Sequence, residues 1–240
     1  MRIFVTGATG FIGSAVVADL IHAGHQVLGL TRSDEGSKSL AAAGAQVHRG
    51  HLEDLQSLRS GAANSDGVIH LAFILDFSKF KENCEIDQRA IEVLGEALAG
   101  SNRPLVVSSG LFSTPGRSTT EDDAVPANSP LPRVSEETAL SLVSKGVRAS
   151  VMRLPQVHDR NKAGLVTRLI ATAREKGVSA YVGEGLNRWP AAHLLDVAPL
   201  YRLALEKVTA GAKYHAVTEE GVPLRDIAEA IGRRWKLPVI

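Results

Sequence analysis

Apolar positions follow two rhythms through about the first 155 residues. Ile3–Thr6, Gln26–Thr31, Ala45–Arg49, Gly67–Ala72, Leu105–Ser108 and Val147–Leu154 are short apolar runs, each read as a strand. Between them lie helical patterns. Phe11–Ala23 puts Ile12, Val16, Leu20 and Ala23 on one face, and Gly36–Ala43, Leu55–Ala62, Lys79–Ala99 and Ser135–Ser144 read as further helices. Runs without polar alternation describe strands buried on both faces. Strand–helix alternation then predicts an α/β fold whose right-handed crossovers wind a parallel sheet doubly.

Two stretches break the rhythm. Phe112–Arg133, "FSTPGRSTTEDDAVPANSPLPR", is rich in Pro, Ser, Thr and acids and predicts a long surface loop. Beyond Pro155 the pattern loosens to a helix near Leu165–Lys176, a short strand at Tyr181–Val182, a helix from Asp196 and another from Pro223 to Trp235. The expected organisation is a domain over 1–155, including the loop 112–133. A smaller lobe over 156–240 is partly interleaved with it.

Composition narrows the class. The chain has 240 residues, 44% of them hydrophobic, enough for a sizeable core. Lys and Arg number 27 against 26 acids, so no general field favours nucleic acid or an anionic membrane. Cys84 is the single cysteine, which excludes an internal disulfide, and no metal-ligand spacing surrounds it. The N-terminus carries no signal-peptide pattern and no stretch has the length of a membrane span. The expectation is a cytoplasmic protein that acts on a small molecule, without metal, nucleic acid or membrane, as a monomer or homodimer.

"VTGATGFIG", residues 5–13, stands between the first strand and the first helix. That context gives Gly7, Gly10 and Gly13 distinct roles. Gly7 permits the tight turn, Gly10 lets backbone approach a pyrophosphate, and Gly13 allows close helix–sheet packing. Thr9, Phe11 and Ile12 complete the turn, and the helix start offers amides to phosphate. The sheet is therefore expected to be Rossmann-like and the ligand a dinucleotide. The acid that binds the ribose hydroxyls of NAD would stand near the end of the second strand, where "GLTRSDEGS" has Thr31 instead. Arg32 and Ser33 suit a 2′-phosphate, so NADP is favoured over NAD. The competing reading is that Asp34 and Glu35 satisfy Arg32.

The G-x-x-G-x-x-G spacing near the N-terminus resembles the extended and atypical, NAD-dependent epimerase/dehydratase-like branches of the short-chain dehydrogenase/reductase superfamily. The resemblance continues through "RGHLEDL" at 49–55, "VIHLA" at 68–72, "VVSSG" at 106–110, "VRASVMRLPQVHD" at 147–159 and "WPAAHLLDVA" at 189–198. It implies adenine contacts at His51 and Leu52, and adenosine and ribose contacts at Leu71, Ala72 and Phe73. It also implies a nicotinamide end near Ser108 and Pro155, an active-site hydroxyl at Ser109, and a C-terminal lobe that closes over cofactor and substrate. The superfamily's Tyr-x-x-x-Lys pair is absent. Counting back from Glu137 puts Arg133 at the lysine position and Ser129 at the tyrosine position. Arg133 can hold ribose hydroxyls but cannot shuttle a proton.

Other polar residues carry further expectations. Asp87 stands where many relatives have asparagine and reads as a polar helix residue. His70 reads as satisfying backbone groups, Asp196 as a helix N-cap, and Trp189 as either pocket lining or packing. His158 has the ionisation range for acid–base work, and His193 is a similar lone histidine. The catalytic candidates are thus Ser109, Arg133 and His158. The leading reading is NADPH-dependent reduction of a small carbonyl, quinone or activated alkene. The alternatives are an inactive NADP-binding sensor whose acidic loop at Glu121–Asp123 meets a partner, and a sugar-nucleotide epimerase/dehydratase-like enzyme. The ending "GRRWKLPVI" falls where members of the superfamily usually continue, so the lobe is expected to lack a terminal segment and its pocket to be more open.

Overall fold

Five of the six apolar runs become inner strands of a sheet, where both of their faces are covered, while the run at Ala45–Arg49 forms an exposed edge strand. The structure is a computed structural model and describes residues 1–114, 116–126, 131–207 and 209–240. In chain order the elements are β1 (Arg2–Thr6), α1 (Phe11–His22), β2 (Gln26–Thr31), α2 (Asp34–Ala42), β3 (Gln46–Arg49), α3 (Leu55–Ala63), β4 (Gly67–His70), α4 (Phe80–Leu98), β5 (Pro104–Gly110), α5 (Ser135–Ser141) and β6 (Arg148–Leu154). There follow β7 (Gln156–His158), α6 (Val166–Lys176), β8 (Arg188–His193), α7 (Leu194–Glu206), β9 (Lys213–His215), β10 (Glu219–Pro223) and α8 (Leu224–Trp235). The chain divides into two compact units, Met1–Arg153 with Ala198–His215, and Leu154–Val197 with Ala216–Ile240.

Among the described residues the first unit carries a seven-stranded sheet in the order β3-β2-β1-β4-β5-β6-β9. β1 runs parallel to both β2 and β4, and β2–β3, β4–β5 and β6–β9 are parallel as well. This is a Rossmann-like doubly wound sheet. Strand order reverses direction between β1 and β4, and in such sheets ligands lie beyond the carboxyl ends of the strands at that point. The core is apolar: Phe4, Val68, Leu105, Val107 and Val151 from the sheet pack with Ile91, Leu94 and Leu98 of α4. On α4, Asn83, Cys84, Asp87, Ala90, Ile91, Leu94 and Leu98 are buried at helical spacing, so one face of the helix supplies that packing.

The second unit holds a three-stranded sheet in the order β10-β8-β7, with β8 antiparallel to β10 and parallel to β7. The strand expected at Tyr181–Val182 is a turn here. Val182 is 85% exposed, Gly183 and Gly185 adopt positive φ, and the Gly185 N–H donates to the Val182 carbonyl. Asp196 is not the N-cap of α7, which starts two residues earlier. The Leu195 N–H donates to His193 Nδ1 at 3.2 Å, leaving Asp196 in the first turn, where its charge suits the helix dipole. Among the described residues no helix is long and apolar enough to cross a membrane.

In the loop after β5, the described residues form no helix or strand, and one buried cation organises them. Arg153, fully buried on β6, donates Nε and Nη2 to the two carboxylate oxygens of Glu136 at 2.7 and 2.6 Å. It also donates to the carbonyls of Thr120 and Asp123 and lies over the Phe112 ring. Asp123 in turn accepts from Arg117 and Thr120, and Glu121 accepts from the His215 N–H. Two of the three acids at 121–123 are therefore engaged within the unit, although Glu121 stays exposed.

His215 Nε2 lies 3.0 Å from Arg153 Nη1, and because a guanidinium only donates, that nitrogen must accept. Burial pushes the His215 imidazole below its ordinary value of 6.5, with Glu121 pulling the other way. In the window below about 6.5 the unfolded chain binds the extra proton and the folded one does not, so stability falls as pH falls. The thermal midpoint should therefore drop more between pH about 7.5 and about 5.5 in the native protein than in His215→Gln, which accepts the same bond without titrating. Equal drops would contradict this role for His215.

Candidate functional site

The turn after β1 is shaped by two contacts that leave no room for a side chain. Gly7 has φ +66°, and a Cβ there would stand 2.8 Å from the Ala72 amide nitrogen and 2.9 Å from the Leu71 carbonyl carbon. A Cβ on Gly13 would stand 2.0 Å from the Gly7 carbonyl oxygen, so α1 can approach β1 this closely only through glycine. Gly10 is less constrained; its N–H donates to the Gly7 carbonyl at 2.9 Å. α1 has no side-chain cap and no acid in its first turn, and Thr9 and Gly10 are exposed beside it. A helix start without a counter-charge, framed by glycines, fits a pyrophosphate.

Across the end of β2, Thr31 occupies the position of the expected acid but is only 5% exposed, packed beneath Gly36 of α2. Ser33 caps α2, its Oγ accepting from the Gly36 N–H at 3.0 Å. Arg32 is exposed, and its guanidinium makes no hydrogen bond or ion pair among the described residues. Asp34 is taken by Arg49 at 3.1 Å, and Arg49 also donates to Ser37 Oγ at 2.9 Å. The alternative in which Asp34 satisfies Arg32 is thus not realised. Nearby in sequence, His51 is exposed and Leu52 buried, while Leu71, Ala72 and Phe73 are half-buried after β4. The Ala72 N–H donates to Thr6 Oγ1 at 3.2 Å.

The ends of β4 and β5 carry a closed ring of buried polar groups. His70 Nε2 lies 3.1 Å from Asp87 Oδ1, and Ser135 Oγ donates to Asp87 Oδ2. Arg133 Nε donates to Ser135 Oγ at 2.8 Å and Nη2 to the Ser108 carbonyl at 2.9 Å. Ser108 Oγ then reaches the His70 carbonyl at 2.8 Å, which closes the circuit. Thr6 Oγ1 sits 2.8 Å from His70 Nδ1. With Nε2–H donating to the carboxylate, Nδ1 is left to accept from the Thr6 hydroxyl, a tautomer assigned from its partners. The Arg133 guanidinium also lies 4.1 Å from the centroid of the Phe73 ring. Burial pulls Arg133 below its ordinary value, opposed chiefly by the Asp87 carboxylate.

The structure revises several expectations here. The His70 ring meets the side chains of Thr6 and Asp87, not the backbone groups expected of it. Asp87 is a buried partner of two residues, and its position on the core-facing stripe of α4 was the signal that a charge there must be compensated. Tyr201, lacking a lysine four residues on, is fully buried on α7 with its hydroxyl 2.7 Å from Ser108 Oγ. Burial raises that phenol well above its ordinary range, so it is a structural partner and a poor acid. Glu137, used to align Arg133, is exposed, and Glu136 is the buried acid that pairs with Arg153. Ser129 lies outside the described residues.

The catalytic candidates are distributed unevenly. Ser109 is 8% exposed at the end of β5, next to the carbonyl that Arg133 holds. Pro155 and His158 belong to the second unit, where His158 Nε2 lies 3.2 Å from Glu219 and its ring meets His193 edge-on. His158 is therefore not among the groups the first unit assembles.

Residues 3–218 match the NAD dependent epimerase/dehydratase family. The chain is 52% identical over 244 residues to an uncharacterized protein of Schizosaccharomyces pombe, covering 100% of this chain and 82% of that protein. It is 26% identical over 243 residues to the 4-hydroxy-2-methyl-3-oxo-4-farnesyl-3,4-dihydroquinoline-1-oxide ketoreductase of Stigmatella aurantiaca, covering 94% of this chain and 70% of that one. Among solved structures, the UDP-glucose 4-epimerase of Thermus thermophilus in complex with NAD matches with a TM-score of 0.78 at 22% identity, over 100% of this chain and 86% of that chain. That last likeness is one of fold.

Because the Gly13 contact is backbone against backbone, Gly13→Ala should force α1 away from β1. The expected cost is about 1–3 kcal/mol, read as a lowered denaturation midpoint. Gly10→Ala, with its nearest contact at 3.1 Å, should cost clearly less. Equal midpoints for the two variants would contradict the packing described.

Proposed function

This chain belongs to the NAD dependent epimerase/dehydratase family, and we propose that it is an NADPH-dependent reductase of a small carbonyl, quinone or activated alkene. The observation that carries the reading is at the end of β2, which presents an unpaired Arg32 and no carboxylate. A guanidinium pairs bidentately with a 2′-phosphate, whereas the ribose diol of NAD calls for an acid. When bound, the nicotinamide supplies a hydride, which is the cofactor's own chemistry.

The residues of this chain supply the rest. Gly7, Thr9, Gly10, Phe11, Ile12 and Gly13 form the pyrophosphate cradle, and Arg32 with Ser33 receives the 2′-phosphate. His51, Leu52, Leu71, Ala72 and Phe73 border the adenosine. Arg133 uses Nε and Nη2 on Ser135 and Ser108, and its Nη1, which makes no hydrogen bond among the described residues, would be the donor left for a ribose hydroxyl. The Ser109 hydroxyl donates to the substrate oxygen and stabilises charge that develops there. Arg133 remains cationic and cannot act as the acid. Electrophiles that need little proton assistance suit such a site, since bound water can complete the reaction. The similarity to a named ketoreductase supports carbonyl chemistry.

Calorimetric titration checks the cofactor half of this reading. Arg32→Glu should weaken NADPH binding by about tenfold to hundredfold and leave NADH binding unchanged or tighter. Unaltered NADPH affinity would remove the NADP assignment. An absorbance assay over carbonyls, quinones and activated alkenes checks the reaction half, with Ser109→Ala expected to lower turnover by about tenfold or more. Tight binding with no turnover across that panel would favour the sensor reading instead.

A further inference from the structure

We propose that Asp87 is the positioning residue for Arg133, acting through the Ser135 hydroxyl to aim the guanidinium at the dinucleotide. This rests on the reading above that Arg133 faces a bound ribose. The geometry is specific. Asp87 is 1% exposed on α4, and its two oxygens are divided between His70 Nε2 and Ser135 Oγ. Ser135 passes the contact on by accepting from Arg133 Nε at 2.8 Å. A hydroxyl that donates to a carboxylate is a better acceptor for its second partner, because each bond polarises the next.

The arrangement constrains Arg133 at three points. Ser135 holds Nε, the Ser108 carbonyl holds Nη2, and the Phe73 ring lies against the flat face. A planar fork fixed in this way has its remaining donors set in direction. Asp87 is also the carboxylate of this ring, so it balances the half-buried guanidinium as well as orienting it. The Asp87 carboxylate opposes the lowering that burial imposes on Arg133, consistent with that balance. Through His70 the same carboxylate is joined to Thr6, whose hydroxyl holds the Ala72 amide against which Gly7 turns. One side chain thereby sets both the pyrophosphate turn and the ribose-facing arginine.

Asparagine cannot replace this function, since it offers one acceptor where the carboxylate offers two. The test is NADPH binding by calorimetry for Asp87→Asn, Ser135→Ala and the double variant, with Arg133→Gln alongside. Both single variants should weaken binding about tenfold, and the double variant should be no weaker than the weaker single, because all three cut one link. Ser135→Ala alone leaves the His70–Asp87 contact intact and decides the matter if Asp87→Asn does not fold. Full affinity in Ser135→Ala, or losses that add in the double variant, would overturn the inference. Full affinity in Arg133→Gln would instead overturn the underlying reading that Arg133 meets the dinucleotide.

Discussion

A carboxylate on the core-facing turn of a helix is tolerated only when donors meet its oxygens, and Asp87 meets that condition with His70 and Ser135. The polar ring at the ends of β1, β4 and β5 is built around that constraint. Ser135, the first residue of α5, meets the carboxylate on α4. Arg133, two residues earlier, is then brought to the end of β5. Because His70 must present Nε2 to the carboxylate, its other nitrogen is turned to Thr6 and thus to the glycine turn. The ends of β1, β4 and β5 are tied together by side chains where a parallel sheet alone would leave them as separate loops. Breaking such a circuit at one member leaves its neighbours buried and unsatisfied, which is why its parts act as a unit.

A second buried charge organises the far edge of the sheet. Arg153 spends its fork on Glu136 and on carbonyls of the loop after β5, so a segment without helix or strand is still anchored. Glu136 and Ser135 are adjacent at the start of α5, one serving Arg153 and the other Asp87. The first turn of that helix is therefore where the loop anchor and the polar ring meet. The acids at 121 and 123 accept hydrogen bonds within the unit, from Arg117, Thr120 and His215.

Arginine in place of lysine has a physical consequence of its own. Lysine offers a compact charge that can be tuned and can relay a proton, whereas arginine offers a rigid fork that stays charged. On the proposed reading, the fork suits a position whose work would be to hold ribose hydroxyls in a fixed direction. It also needs more partners, which Ser108, Ser135 and Phe73 supply. The chain has this ring where the superfamily's Tyr-x-x-x-Lys pair is absent, and on the proposed reading Arg133 supplies the orienting part of that pair's work.

Local pattern along the chain was enough to establish β1 to β6, the doubly wound sheet, the glycine turn and the family, because these depend on period and on spacing within a few residues, whereas the short strands β7 to β10 left no such pattern. Gly7 and Gly13 could be assigned their places from a strand on one side and a helix on the other. The missing acid at Thr31 and the cation at Arg32 were equally legible. Whether Asp34 would neutralise Arg32 was settled in three dimensions, where Asp34 went to Arg49. Folding alone brought Thr6, His70, Asp87, Ser108, Arg133, Ser135 and Tyr201 together. These residues are spread over nearly two hundred positions of the chain. Hydrogen bonds of about 3 Å between such distant residues leave no periodic trace, since any serine or aspartate at the right depth would read alike in the linear chain.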